Sequence, residues 1–318
     1  MTVMEQRGAY RPSPPPAWQP RMDPAPLLPD AEPYRVLGTE AAAKADPDLL
    51  RRLYAELVRG RRYNVQATAL TKQGRLAVYP SSTGQEACEV AAALALQERD
   101  WLFPSYRDTL AAVARGVDPV EALTLLRGDW HTGYDPREHR VAPLCTPLAT
   151  QLPHAKQTAA PSLAHKAVGY GMPGRLVDGN DAAAVHEVLA DAVRQARAGG
   201  GPTLIEAITY RIDAHTNADD ATRYRGDSEV ETWRGHDPIA LLEHELTERG
   251  LLDDAGKQAA RDAAEAMAAD LRERMNQDPA LDPMDLFDHV YAEPTPQLRE
   301  QRAQLQAELH AESEGSHR

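Results

Sequence analysis

Apolar residues recur at helical spacing over much of the chain. Leu49, Leu50, Leu53, Tyr54, Leu57 and Val58 share one face of a predicted helix. Asp46-Pro47-Asp48 can start it, with proline at the first helical position, and the pattern predicts its end before Gly60. Ser82-Thr83-Gly84-Gln85 has the form of a capping box. Ala87, Val90, Ala91, Leu94 and Ala95 follow it as the apolar face of a second helix, expected to stop near Arg99. Two short amphipathic helices are expected over residues 108–115 and 119–127, closed by Gly116 and Gly128.

Residues 132–160 hold several prolines and little periodicity, so a loop, a site or both are expected. Gly174-Arg175-Leu176-Val177-Asp178-Gly179 then predicts a short strand and turn. A helix follows from Asp181, with Val185, Val188, Leu189, Ala192 and Ala196 as its buried face and Gly199-Gly200-Gly201 as its end. The run from Thr203 to Tyr210 is mostly apolar and β-rich, as expected for a strand covered on both faces. Strand, helix and strand within so short a span make a βαβ unit, which a right-handed crossover renders parallel. From Asp237-Pro238 onward the pattern is helical over 239–249, 253–276 and 283–291, with a charged tail over 296–318.

Composition adds limits. The 318 residues suffice for one large α/β domain or two smaller ones, and a formal net charge of −13 disfavours nucleic acid or an acidic membrane surface as partner. Aromatic residues are only 5%, with two Phe, so the balance favours helices over strands. Cys88 and Cys145 alone cannot build a disulfide framework or a four-cysteine metal site, and a reducing, cytoplasmic location is expected. Residues 1–32 are proline-rich, without a signal-peptide pattern, and are expected to form a disordered or extended arm. No apolar run is long enough for a membrane span.

Candidate chemistry sits in three segments. Tyr106-Arg107 stands immediately before a helix, where a phenol and a guanidinium could donate to phosphate oxygens beside free N–H groups. A capping segment with a surface arginine is the plainer alternative. His215 lies in the polar loop that leaves the carboxyl end of the second strand, the edge where open α/β sheets bind ligands. It could act there as acid, base or charge stabiliser, or be an idle solvated histidine. Pro143 to Gln151 offers carbonyls, a hydroxyl and an amide that could ring a hard monovalent cation, or form a simple proline-rich connection.

In this order the segments resemble the alpha subunit of the thiamine-diphosphate-dependent, decarboxylating component of 2-oxo acid dehydrogenase complexes, of branched-chain 2-oxo acid or pyruvate dehydrogenase type. The resemblance covers about residues 33–305 and rests on Tyr79 to Ala87, Tyr106-Arg107, Pro147 to Gln151, Arg175 to Asp181, Ile205 to Ile212, His215 and Asp219-Asp220. It implies an α/β, thiamine-diphosphate-binding fold, a parallel sheet flanked by helices, over residues 33–295. It also implies an oxidoreductase that decarboxylates pyruvate or a branched-chain 2-oxo acid and passes the acyl group to lipoamide.

By the same resemblance Tyr106, Arg107, Thr146 and His215 would contact thiamine diphosphate, with His215 the catalytic residue. Cys145, Pro147, Thr150 and Gln151 would surround potassium. The implied partners are a dehydrogenase beta subunit, in an α₂β₂ heterotetramer, and a lipoyl transacylase core. The chain departs from the family after Gln151. Where relatives carry two strand–helix units, about sixty residues, with a Gly-Asp-Gly and an Asn-Asn that hold magnesium, His154-Ala155 runs directly into Lys156. An internal deletion is expected, with the magnesium ligands and central strands absent. A non-catalytic homologue that keeps only its subunit-association surfaces is the alternative.

Overall fold

The computed structural model describes residues 18–128, 133–145, 159–277, 282–288 and 290–315. Two units are compact in themselves, Met1–Met275 and Asn276–Arg318.

The first unit is built on α1 (Pro47–Lys72), started by Asp46, whose carboxylate accepts the Asp48 N–H. This helix passes through Gly60 instead of ending before it. The reason is tertiary: a Cβ at Gly60 would stand 2.5 Å from Leu110 Cδ2, so the glycine is where the next helix layer comes closest. That layer is α2 (Glu86–Ala95), α3 (Thr109–Ala114) and α4 (Pro119–Arg127). The last follows its expected bounds, with Asp118 accepting Val120 N–H and Glu121 N–H at its start and Gly128 left-handed at its end. One turn, α5 (Pro136–His139), follows, and later another, α6 (Lys166–Gly169).

The expected βαβ unit is present as β1 (Gly174–Asp178), α7 (Ala182–Arg197) and β2 (Leu204–Ile208). The strands pair in parallel, with Gly174 opposite Leu204 and Asp178 opposite Ile208. Asp181 accepts the Ala184 N–H at the start of α7 and also the Val36 and Leu37 N–H groups, which ties the preceding chain to the sheet. Two expectations need correction. Residues 204–208 are only half-buried rather than covered on both faces, because β2 has β1 as its one strand neighbour among the described residues. The C-terminal half of α7 is likewise only partly covered, and Ala196 is exposed.

Helices α8 (Asp227–Arg234), α9 (Pro238–Glu248) and α10 (Asp254–Met275) complete the unit. One apolar cluster joins Leu50, Leu53, Leu57, Val90, Leu110, Val177, Val185, Leu242 and Leu246, and a second joins Tyr63, Leu70, Tyr79, Leu123, Leu271 and Met275. Arg61 of α1 pairs with the buried Glu86 and with Asp237 at the start of α9, so α1, α2 and α9 share one charged junction. Part of the expected N-terminal arm belongs to the fold: Leu27 is buried and Arg21 N–H donates to Gly171 O at 3.0 Å. In the second unit the chain after Pro296 is a helix, α11 (Pro296–Gly315), and a 3₁₀ turn over Pro283–Phe287 precedes it. No described helix is long and apolar enough to cross a membrane.

Candidate active site

The site forms where the turn before α3 meets the loop after β2. Asp108 Oδ2 accepts both Ser105 N–H and Ser105 hydroxyl at 2.7 Å, which folds the turn carrying Tyr106 and Arg107. Tyr106 N–H donates to Cys145 O at 2.8 Å, and a parallel bridge pairs Ser105 with Cys145. The opposite wall is set by Gly84. Its φ is +91°, and a Cβ there would stand 2.2 Å from Tyr210 O, so only glycine lets the loop after β2 cross at that height. Ile212 N–H then reaches Thr83 O at 2.9 Å, and Ser81 hydroxyl donates to Asp213 Oδ2 at 2.7 Å.

The capping box expected at Ser82 does not form. Ser82 turns instead to Asn64, and Glu86 reaches back to Gly84 N–H at 2.7 Å. A buried polar partner from α1 outcompetes the local cap.

Arg107 is 2% exposed, so it is not a surface arginine. Its guanidinium donates to Ser81 O at 2.8 Å, to His215 O at 3.2 Å and to His215 Nδ1 at 3.0 Å. The Tyr106 ring lies 5.6 Å from the guanidinium carbon and packs edge-on to the His215 ring at 6.2 Å. Three residues picked out in the sequence, Tyr106, Arg107 and His215, therefore converge.

Arginine has only donors, so Nδ1 of His215 must be the acceptor and its proton lies on Nε2. Partial burial, then the positive charges of Arg107 and Arg211, push the His215 pKa below the ordinary histidine value, against the pull of Asp219. The ring is neutral near pH 7 and presents an N–H at the rim of the site. Burial also lowers the Arg107 pKa, but a guanidinium stays charged. The loop bearing His215 is pinned by Asp219, whose carboxylate accepts His215 N–H at 2.7 Å and the Tyr224 hydroxyl. A buried cation, a phenol and a neutral imidazole donor suit an anion or an oxygen on which negative charge develops.

Of the residues expected around potassium, Cys145 is the one described, and its carbonyl already accepts Tyr106 N–H. Thr146, Pro147, Thr150 and Gln151 lie outside the described residues. Asp178 and Asn180 form the turn expected after β1, where Asn180 N–H donates to Asp178 Oδ1 at 3.0 Å. Asp178 Oδ2 holds Arg35 and His236 at 2.9 Å, and Asn180 donates to His236 O. Of the residues that position the site, Ser81 and Asp219 lie in segments that carry the resemblance but have no role implied there, and Asp213 is not singled out.

The dehydrogenase E1 component family matches residues 56–159 and 148–284. The chain is 36% identical to the 3-methyl-2-oxobutanoate dehydrogenase subunit alpha of Mycobacterium tuberculosis, over 88% of this chain and 95% of that one. That alignment runs over 348 positions, more than the 318 residues of this chain, so it contains gaps on this side. Identity is 28% with the 2-oxoisovalerate dehydrogenase subunit alpha of Bacillus subtilis, over 76% of this chain and 94% of the relative. It is 27% with the pyruvate dehydrogenase E1 component subunit alpha of Acholeplasma laidlawii, over 84% and 95%. With the family match over most of the chain and the 36% identity over most of both chains, this chain belongs to the dehydrogenase E1 component family.

Proposed function

We propose that the chain is the alpha subunit of a 2-oxo acid dehydrogenase, acting with a beta subunit on pyruvate or a branched-chain 2-oxo acid and with lipoamide as acyl acceptor, and that it grips its cofactor weakly. The observation that carries the reading is the convergence of Tyr106 and Arg107 with His215 at the carboxyl edge of the sheet. The names of the relatives supply the substrate class.

The fit to the cofactor is incomplete. Arg107, Tyr106 and the Nε2–H of His215 suit the diphosphate end and any oxyanion formed beside it. The reading of a missing magnesium anchor draws on the described residues, among which no group of three or more His, Cys, Asp or Glu could hold a metal ion. Asp178 cannot substitute, since its carboxylate is taken by Arg35 and His236. Without a metal to bridge it to protein, a multiply charged diphosphate rests on one guanidinium and on backbone. An internal deletion accounts for this. Its support is the alignment longer than the chain, the family match in two overlapping parts that meet at residues 148–159, and a sheet of two strands among the described residues.

The same features favour a second reading, a non-catalytic homologue that retains its subunit-association helices. Co-expression with a dehydrogenase beta subunit separates the two. The first reading expects an α₂β₂ assembly with slow acyl transfer to a lipoyl domain that depends on His215; an assembly with no turnover at saturating cofactor supports the second. A chain that associates with no beta subunit contradicts both.

A further inference from the structure

Beneath the Tyr106–Arg107 turn lies a set of polar side chains that the site leaves unused. Glu89 of α2 is 5% exposed, while Tyr63 of α1 and Thr109, the first residue of α3, are wholly buried. Glu89 Oε1, Tyr63 hydroxyl and Thr109 hydroxyl each lack a hydrogen-bond partner. Glu89 Oε2 has one: it accepts the Ala111 N–H at 3.2 Å, an amide it shares with Asp108 O at 3.1 Å. Shared amides of this kind are common in the first turn of a helix.

The charges facing Glu89 do not favour an ionised carboxylate. Glu86, one turn earlier on the same helix, is committed to Arg61 and Gly84 N–H. Asp108, at the start of α3, is a second negative neighbour, and the remaining titratable groups are the Tyr63 and Tyr79 phenols and the Cys88 thiol. Arg107 donates to Ser81 O and to His215, and it acts on Glu89 only through its charge. A carboxylate buried among phenols, hydroxyls and two other carboxylates, with no cation bonded to it, is costly, whereas the neutral acid brings no charge into that setting.

We infer that Glu89 is held as a neutral carboxylic acid whose Oε2 anchors the first turn of α3 and so positions the Tyr106–Arg107 turn just before it. The proton belongs on Oε1, the oxygen that accepts no hydrogen bond, since Oε2 takes the Ala111 N–H. Burial, then the charge of Asp108, hold the Glu89 pKa well above the usual carboxylate range, against the pull of the Ser82 hydroxyl and the Ala111 N–H, in keeping with this state. Glu89 is a positioning residue: it touches no ligand and acts through Ala111 and the turn. The proposed anion role of Arg107 supplies the functional meaning, but the state of Glu89 and its anchoring of α3 stand apart from it.

A group whose folded pKa is raised contributes stability that is full below its unfolded value, about 4.3 for glutamate. That contribution is lost as pH rises toward the folded pKa. The Glu89→Gln variant, isosteric with the neutral acid, escapes the loss.

The test uses the full chain co-expressed with its beta subunit and compares wild type, E89Q and E89L. Infrared difference spectra between wild type and E89Q at neutral pH should show the C=O band of a protonated carboxyl, shifted in deuterium oxide. Hydrogen exchange over residues 105–113 should match wild type in E89Q and rise at least about tenfold, roughly 1.4 kcal/mol of lost protection, in E89L. The thermal midpoint of E89Q should exceed that of wild type by a margin that widens from about pH 5 to about pH 9. A carboxylate band in place of the acid band, unchanged exchange in E89L, or a margin independent of pH overturns the inference. If E89L fails to fold, the infrared and pH results on E89Q still decide it. None of these readouts needs cofactor binding, so failure of the proposed function is distinguishable from failure here.

Discussion

Arg107 Nη2 and His215 Nδ1, 108 residues apart in sequence, meet at 3.0 Å. The guanidinium is buried and the imidazole sits at the rim, so a fixed positive charge stands behind a neutral N–H donor. Each acts on the other: after burial, the charge of Arg107 is the next influence that lowers the ring's pKa, and the ring and Ser81 O hold the cation in place.

Replacement of Arg107 by glutamine removes the positive charge beside His215 while keeping a donor. The His215 pKa should rise toward the ordinary histidine value of about 6.5, to be followed by NMR titration of the ring. In the wild type the charge change of His215 falls at lower pH, so protonation of the ring should disturb the site only on the acid side. Loss of hydrogen bonds from a charged donor should lower stability by about 1.5–3 kcal/mol, readable by urea unfolding.

Gly84 admits no side chain. G84A would combine a left-handed backbone with a Cβ 2.2 Å from Tyr210 O. The expected cost is about 1–3 kcal/mol, together with faster hydrogen exchange in residues 210–216. A neutral substitution would contradict the close crossing of the two loops.

Gly60 behaves differently, because its obstacle is the far end of a flexible side chain. G60A gains helix propensity of about 1 kcal/mol but collides with Leu110 Cδ2. G60A should therefore destabilise in the wild-type background and cost less in an L110A background, so the double-mutant cycle in denaturant should be non-additive.

Asp118 starts α4 and receives Arg274 of α10 at 2.8 Å and 2.9 Å. Burial alone would raise its pKa, but Arg274 and the N–H groups of Glu121 and Val120 more than offset this, and the net shift is downward. Its contribution is present above the unfolded aspartate value of about 3.9 and is lost as pH falls through the lower folded pKa. D118A should cost about 1 kcal/mol for the cap at neutral pH, and the difference from wild type should close in acid.

Legibility in the sequence followed the range of the forces involved. The bounds of α4 are local, set by Asp118, Pro119 and Gly128, and were readable; so was the parallel pairing of β1 with β2, forced by the short crossover helix between them. The passage of α1 through Gly60 was not readable, because Leu110 overrides an intrinsic helix-breaking preference from fifty residues away. The false capping box at Ser82 has the same origin in Asn64. Tyr106, Arg107 and His215 were legible through a family resemblance, but spacing alone gave no hint that Arg107 would be buried against His215. Glu89 was overlooked, although Glu86 and Glu89 on the Ala- and Val-rich face of α2 were a visible sign of buried carboxylates.

The proposed function pairs an anion-facing Tyr106–Arg107–His215 site with the lack of a magnesium anchor. Isothermal titration of thiamine diphosphate into the co-expressed alpha–beta assembly, with and without magnesium, addresses it directly. Weak binding that magnesium barely strengthens, and that R107Q weakens further, is the expected result. Tight binding at micromolar cofactor or below that requires magnesium would contradict it.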